Sequence, residues 1–257
     1  MIISVQQLLV FLLILARIAG IMAQAPILSS RSFPTVAKTA FAIWTAILLW
    51  FVTPVNPTLP DSLLAFILAL VSELVIGLVI GFICNIIFLA LQSAGEIMDL
   101  QMGLSVASSL DPVFGSVISV IGRLTFYTAM IIFISANGHH LILSAFHQSF
   151  TVLPVGKLAN FTSPNLVLQM INLGSTLWLT AIMLAAPVVL LVFLSDFTFG
   201  IVSRVAPQVN VFMLGFQVKP SLGLLGFMMS LPFIVKYINK LIEIIAQELV
   251  LFANTVK

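Results

Sequence analysis

Residues Leu91–Pro112 read LQSAGEIMDLQMGLSVASSLDP and interrupt an otherwise very apolar chain. Long runs of Leu, Ile, Val and Phe flank the stretch, whereas inside it come Gln92, Glu96, Asp99, Gln101 and Asp111, with Gly95 and Gly103. Glu96 and Asp99 stand three apart, so a helix places both carboxylates on one face and Ile97, Leu100 and Leu104 on another. Asp111-Pro112 opposes helix, because the proline ring pushes its predecessor out of the α region. The pattern predicts a short amphipathic helix and then a loop, set between two membrane-length spans. Non-helical backbone at a bilayer is tolerated only where protein buries it or water wets it. The stretch therefore points to a pore or cavity element.

Composition sets the class. Of 257 residues 61% are hydrophobic and only 7% charged, against about 25% charged in a soluble domain. The expected fold is all-α, a multi-helix integral membrane-type protein forming one domain over residues 1–257. A net charge of +2 from scattered basic residues argues against nucleic acid. Cys84 is the sole cysteine, so no disulfide forms within the chain, and its apolar setting reads as packing. With 21 Phe but only three Trp and two Tyr, the aromatic belts of a lipid-facing protein are thin. That hints at partner proteins covering much of the surface. Ala23-Gln24-Ala25 resembles a signal-peptide cleavage site, yet no Lys or Arg precedes the apolar run, Arg17 lies inside it and Pro26 follows. A retained first span is expected.

Hydropathy and punctuation predict six spans, at about Val5–Met22, Val36–Val52, Asp61–Gln92, Arg123–Phe146, Leu166–Phe199 and Ser221–Phe252. Pro54, Pro57 and Pro60 make a stiff connector, Pro187 is expected to kink the fifth span, and Pro232 to break the sixth. Ser203–Pro220 (SRVAPQVNVFMLGFQVKP) reads as a second amphipathic interruption. The third and fifth spans exceed the roughly 20 residues a bilayer needs, so they must tilt, bend or leave the hydrocarbon.

Several polar residues stand out in this background. A mid-span carboxylate such as Glu73 costs roughly 2.5–3.5 kcal/mol unless it is paired, protonated or wetted. Gly77 and Gly81 form a GxxxG that lets another helix backbone come close. Lys236, Lys240, Glu243 and Gln247 follow one another at helical spacing and make a continuous polar stripe. These residues, with Glu73, Glu96 and Asp99, are expected at subunit interfaces or in a lumen. The alternative is an ion- or proton-coupled secondary transporter relaying through Glu73 and the stripe, although no inverted repeat is evident. No Walker loop, HExxH, GxSxG or paired-Cys motif is present, so no enzyme is expected. His139, His140 and His147 lack an accompanying carboxylate or thiol and read as packing, with neither metal nor cofactor. Ser105, Ala107, Ser108 and Ser109 lead into Leu110, Asp111, Pro112, Val113 and Phe114, a bulky tip on a small-residue stem. Gly103 and Gly115 bracket it as hinges, which suits a gate.

These motifs also form a familiar series. Glu73 with Gly77 and Gly81 is followed by Ala94-Gly95-Glu96, Leu100–Ser105 (LQMGLS) and Asp111-Pro112. Asn137-Gly138-His139, Leu153-Pro154-Val155-Gly156, Ala185–Val188 and Arg204–Gln208 through Gly215-Phe216 complete it. The series resembles the FliR family of the flagellar type III secretion export gate, which has injectisome homologues, and covers nearly the whole chain. The resemblance implies a helical hetero-oligomeric complex with FliP and FliQ, joined by FlhB and FlhA, that forms a closed channel for unfolded flagellar subunits. It implies a place in the bacterial inner membrane at the flagellar basal body, with the complex largely above the membrane plane. It further implies that the segment matching about Val106–Ser119 lies in the lumen as a plug.

Overall fold

The computed structural model describes residues 5–26, 29, 34–52, 62–105, 119–157 and 159–256. Among them the chain runs through α1 (Val5–Gln24), α2 (Thr35–Val52), α3 (Leu63–Met102), α4 (Val120–Ser135), α5 (Gly138–Val152), α6 (Pro164–Val205) and α7 (Val211–Val256). No strand occurs among the described residues. Five of these helices are long and apolar enough to cross a membrane, or six spans if α4 and α5 count as one broken span. At 40, 42 and 46 residues, α3, α6 and α7 reach about 60–70 Å, roughly twice the hydrocarbon thickness of a bilayer.

Four expectations about segmentation need correction. The stretch Leu91–Met102 is no separate amphipathic helix but the last turns of α3. Polar side chains remove no backbone hydrogen bond, and the helix ends only at Gly103, whose φ of 78° is left-handed. The expected fourth span is two helices, split at Asn137 with φ 57°, a conformation Asn tolerates better than most residues. The second interruption shrinks to residues 206–210, since α7 begins at Val211 and runs through Pro220. Likewise α7 is not broken at Pro232. A proline inside a helix removes one donor, and packing over the rest of a 46-residue helix outweighs that loss.

The described residues form two compact units, each assembled from separated stretches. The first comprises Met1–Ile86, Asn137–Leu173 and Ile242–Lys257. Its core joins Val10, Leu13, Ile14, Ile18 and Met22 of α1 to Ala42 and Ala46 of α2, Ala69 of α3, and Phe150 and Val155. Only the small pair Ala42 and Ala46 is buried on α2, and Trp44, Leu48 and Phe51 stay exposed. Contacts between α1 and α3 rise together in register: Arg17 meets Gly77, Ile21 meets Gly77 and Gly81, and Gln24 meets Gly81. The two helices are therefore parallel, and α2 is the return.

The second unit comprises Ile87–Ala136 and Gly174–Leu241 and consists of two antiparallel pairings. The end of α3 packs on α4, with Phe88 against Phe126 and Phe133, Thr125 Oγ1 donating to Leu91 O at 3.0 Å and Gly95 against Gly122. On α6 and α7, Tyr237 reaches Met183, Gly226 packs on Val188 and Lys219 pairs with Asp196 at 2.6 Å. Position numbers rise on α6 as they fall on α7.

Candidate functional site: a buried ion pair and the two ends of the central loop

In the first unit, Glu73 does not lie on a partner-facing or lumenal surface as expected. Its side chain is 1% exposed and accepts from Arg17 Nε at 2.5 Å, and Arg17 itself is 0% exposed. The physical reason is that each mid-span charge offsets part of the other's cost of leaving water. Arg17 Nη1 donates to two carbonyls at the end of α5, Ser149 O at 2.8 Å and Leu153 O at 2.9 Å. The Phe150 ring lies 4.4 Å from the guanidinium carbon, close enough for a cation–π contact. Glu73 Oε1 accepts the Gly156 N–H at 2.9 Å, so both carboxylate oxygens are engaged. Arg17 Nη2 has no partner among the described residues.

Glycines make this pairing possible. A Cβ placed on Gly77 would collide with the Arg17 carbonyl oxygen and come within 3.0 Å of Ile21 N. One on Gly20 would meet Leu74 O and lie 2.9 Å from Leu78 N, and one on Gly81 would lie 2.6 Å from Ile21 O. The α1 and α3 backbones thus touch where Arg17 and Glu73 meet. Sequence reasoning treated Arg17 only as an argument about the N-terminus. The available signal was two opposite charges, each alone in an apolar span.

In the second unit, the end of α3 is held against the start of α4. Asp99, 3% exposed, accepts the Ile121 N–H at 3.2 Å through Oδ1, satisfying a first-turn donor of α4 that has no partner within its own helix. Ser119 caps the same helix, its Oγ accepting from Gly122 N at 2.7 Å. A Cβ on Gly95 would strike the Gly122 backbone. Asp99 is therefore an internal capping residue and not an interface or lumenal one. Nor does it share its surroundings with Glu96, which is exposed and accepts from Gln92 at 3.0 Å. Three residues along a helix turn a side chain by about 60°, enough to put one carboxylate inside and the other out. Sequence reasoning missed Asp99 because capping residues are sought next to the helix they cap, and this one is 22 residues away.

The expected plug residues Leu110, Asp111, Pro112, Val113 and Phe114, with the hinge Gly115, lie outside the described residues. Gly103, the other hinge, closes α3 and donates to Leu100 O at 3.2 Å. Lys236, Lys240, Glu243 and Gln247 are all exposed on α7. The His139 and His140 rings touch at a tilt of 41°, with centroids 4.3 Å apart, and His147 is exposed.

Comparison with known proteins accounts for nearly the whole sequence. The chain is 31% identical over 232 residues to flagellar biosynthetic protein FliR of Bacillus subtilis (strain 168), covering 88% of each chain. It is 32% identical over 227 residues to the protein of that name in Escherichia coli (strain K12), covering 88% of this chain and 86% of that one. Yop proteins translocation protein T of Yersinia pestis is 36% identical over 141 residues, 55% of this chain and 54% of that protein. Residues 8–245 match one family throughout, and the chain belongs to it: the bacterial export proteins, family 1.

Proposed function

We propose that the chain is a structural component of the flagellar type III protein export gate, helping to form the closed channel through which unfolded subunits leave the cell. Family membership over residues 8–245 carries this reading. Relatives in both flagellar biosynthesis and Yop translocation fix its scope as type III export. In this reading the chain does no chemistry on its cargo. It assembles with FliP and FliQ in the bacterial inner membrane at the flagellar basal body, alongside FlhB and FlhA. The exposed stripe on α7 supports subunit contacts, because Lys236, Lys240 and Glu243 find no ion-pair partner among the described residues and are costly against lipid. The transporter alternative finds no support. Glu73, its relay carboxylate, has both oxygens occupied.

Co-purification tests the assembly. The tagged chain is expected to bring down FliP- and FliQ-like proteins in stable stoichiometric amounts, and reversing the charges of Lys236 and Lys240 together is expected to reduce their recovery. A well-behaved free monomer with the stripe against the apolar part of the micelle contradicts the reading. Replacing His139, His140 or His147 by Gln is expected to leave secretion of flagellar subunits at the wild-type level, with chelators without effect. Secretion lost on substitution and restored by added zinc would overturn the packing role of these histidines.

The same reading assigns Leu110–Phe114 as the plug, with Gly103 and Gly115 as its hinges. What supports it is the Asp99–Ile121 and Gly95–Gly122 closure, which returns the chain to its point of departure.

A further inference from the structure

Three motifs that are far apart in the sequence meet at one point: Arg17 on α1, Ser72-Glu73 on α3, and the Leu153-Pro154-Val155-Gly156 run after α5. The last of these is a turn, with the Lys157 N–H donating to Pro154 O at 3.4 Å and Gly156 at φ 83°, the left-handed angle a type II turn needs at its third position. Backbone groups on both sides of the turn go to the ion pair. Ser149 O and Leu153 O accept from Arg17, and Gly156 N–H donates to Glu73. Just beyond, Ala159 N–H reaches Ser72 Oγ at 3.4 Å and Asn160 N–H donates to Val256 O at 3.2 Å, tying in the last turn of α7.

We propose that Arg17 and Glu73 are positioning residues for the 153–160 loop, and that the direction of their ion pair is dictated by the loop's backbone. The donors and acceptors permit only one arrangement. Carbonyls at 149 and 153 require a donor with several N–H groups, which a guanidinium has and a carboxylate lacks. The Gly156 N–H requires an acceptor with an oxygen to spare after meeting the guanidinium, which the two oxygens of Glu73 provide and a guanidinium, having only donors, does not. Contact between α1 and α3 rests on a different set of groups, the backbone approach at Gly20, Gly77 and Gly81. The loop and the helix pair are therefore separable by mutation.

Hydrogen exchange by mass spectrometry on the full chain in its native assembly tests this, comparing the peptide 151–163 with α3 peptides around Gly77. Glu73→Gln keeps shape but offers one acceptor oxygen where two donors converge. Exchange of the loop peptide is expected to rise about tenfold, with α3 little changed. The exchanged pair Arg17→Glu with Glu73→Arg keeps both charges but places each beside backbone groups of the wrong kind, and the loop is expected to remain unprotected. Wild-type protection in the exchanged pair would overturn the proposal, since charge pairing alone would then suffice. An equal rise in every peptide would also overturn it, by making the pair a general support of the fold. If the exchanged pair does not accumulate, Arg17→Lys decides. One ammonium cannot serve Glu73 and both carbonyls in the geometry of the fork, so the loop peptide should exchange faster while α3 does not. Unchanged loop protection in Arg17→Lys and in Glu73→Gln sinks the idea.

Discussion

Gly77→Ala is expected to lower the amount of folded chain, while the same substitution at Gly174 leaves it unchanged or raises it. Both glycines lie inside long helices, α3 and α6, where alanine is intrinsically better by about 1 kcal/mol. Their surroundings reverse the sign at one of them. Nothing lies within 4 Å of a Cβ built on Gly174, so the propensity gain stands alone. At Gly77 the added methyl would meet the Arg17 carbonyl and Ile21 N. These are backbone atoms, and no side-chain rotation moves them aside. Overpacking of this kind costs roughly 1–3 kcal/mol, and here it also pulls Arg17 away from Glu73. Gly77→Leu should abolish accumulation altogether. Membrane levels of the chain and its apparent unfolding midpoint in detergent measure the effect. Wild-type behaviour of Gly77→Ala would mean that α1 and α3 do not depend on backbone contact.

How far these features could be read in advance depends on whether the signal was local. The all-helical class, the apolar spans and the GxxxG at Gly77 and Gly81 follow from composition and spacing, which are properties of short windows. Helix ends were harder, because polarity and helicity are independent. Glu96, Asp99 and Gln101 did not end α3, whose buried stripe continues through Leu91, Ala94, Met98 and Met102, and the true end waited for Gly103 at positive φ. Pro220 and Pro232 misled in the same sense, as each is a local defect inside a 46-residue helix that continues past it. Partnerships were the least legible. Arg17 with Glu73, 56 positions apart, and Asp99 with the start of α4 are long-range pairings, and a single sequence shows only that each polar residue needs a partner. It does not show which one.

Deleting Leu110–Phe114 is expected to raise ion leak through the assembled export complex while protein export continues. The deleted residues include the apolar Leu110, Val113 and Phe114, and apolar constrictions close pores by expelling water, with no strong bond to break on opening. What the structure contributes is the footing. Asp99 and Gly95 hold the start of α4 against the end of α3, and neither contact involves the residues to be deleted. A leak in the deletion therefore reports on the tip and not on a disrupted unit. Phe114→Gly should leak in the same direction but less, because Leu110 and Val113 remain. Asp111→Asn is the control, as it removes a charge, keeps the bulk, and should leak much less than either. Asp99→Ala tests the footing by itself. It strips a capping acceptor from α4, a loss of about 0.5–2 kcal/mol, and should loosen the seal with the tip intact. Conductance in cells expressing the whole complex, or their sensitivity to small anions, ranks the four variants. A deletion that leaks no more than wild type would make the segment a connector and place the seal in a partner subunit.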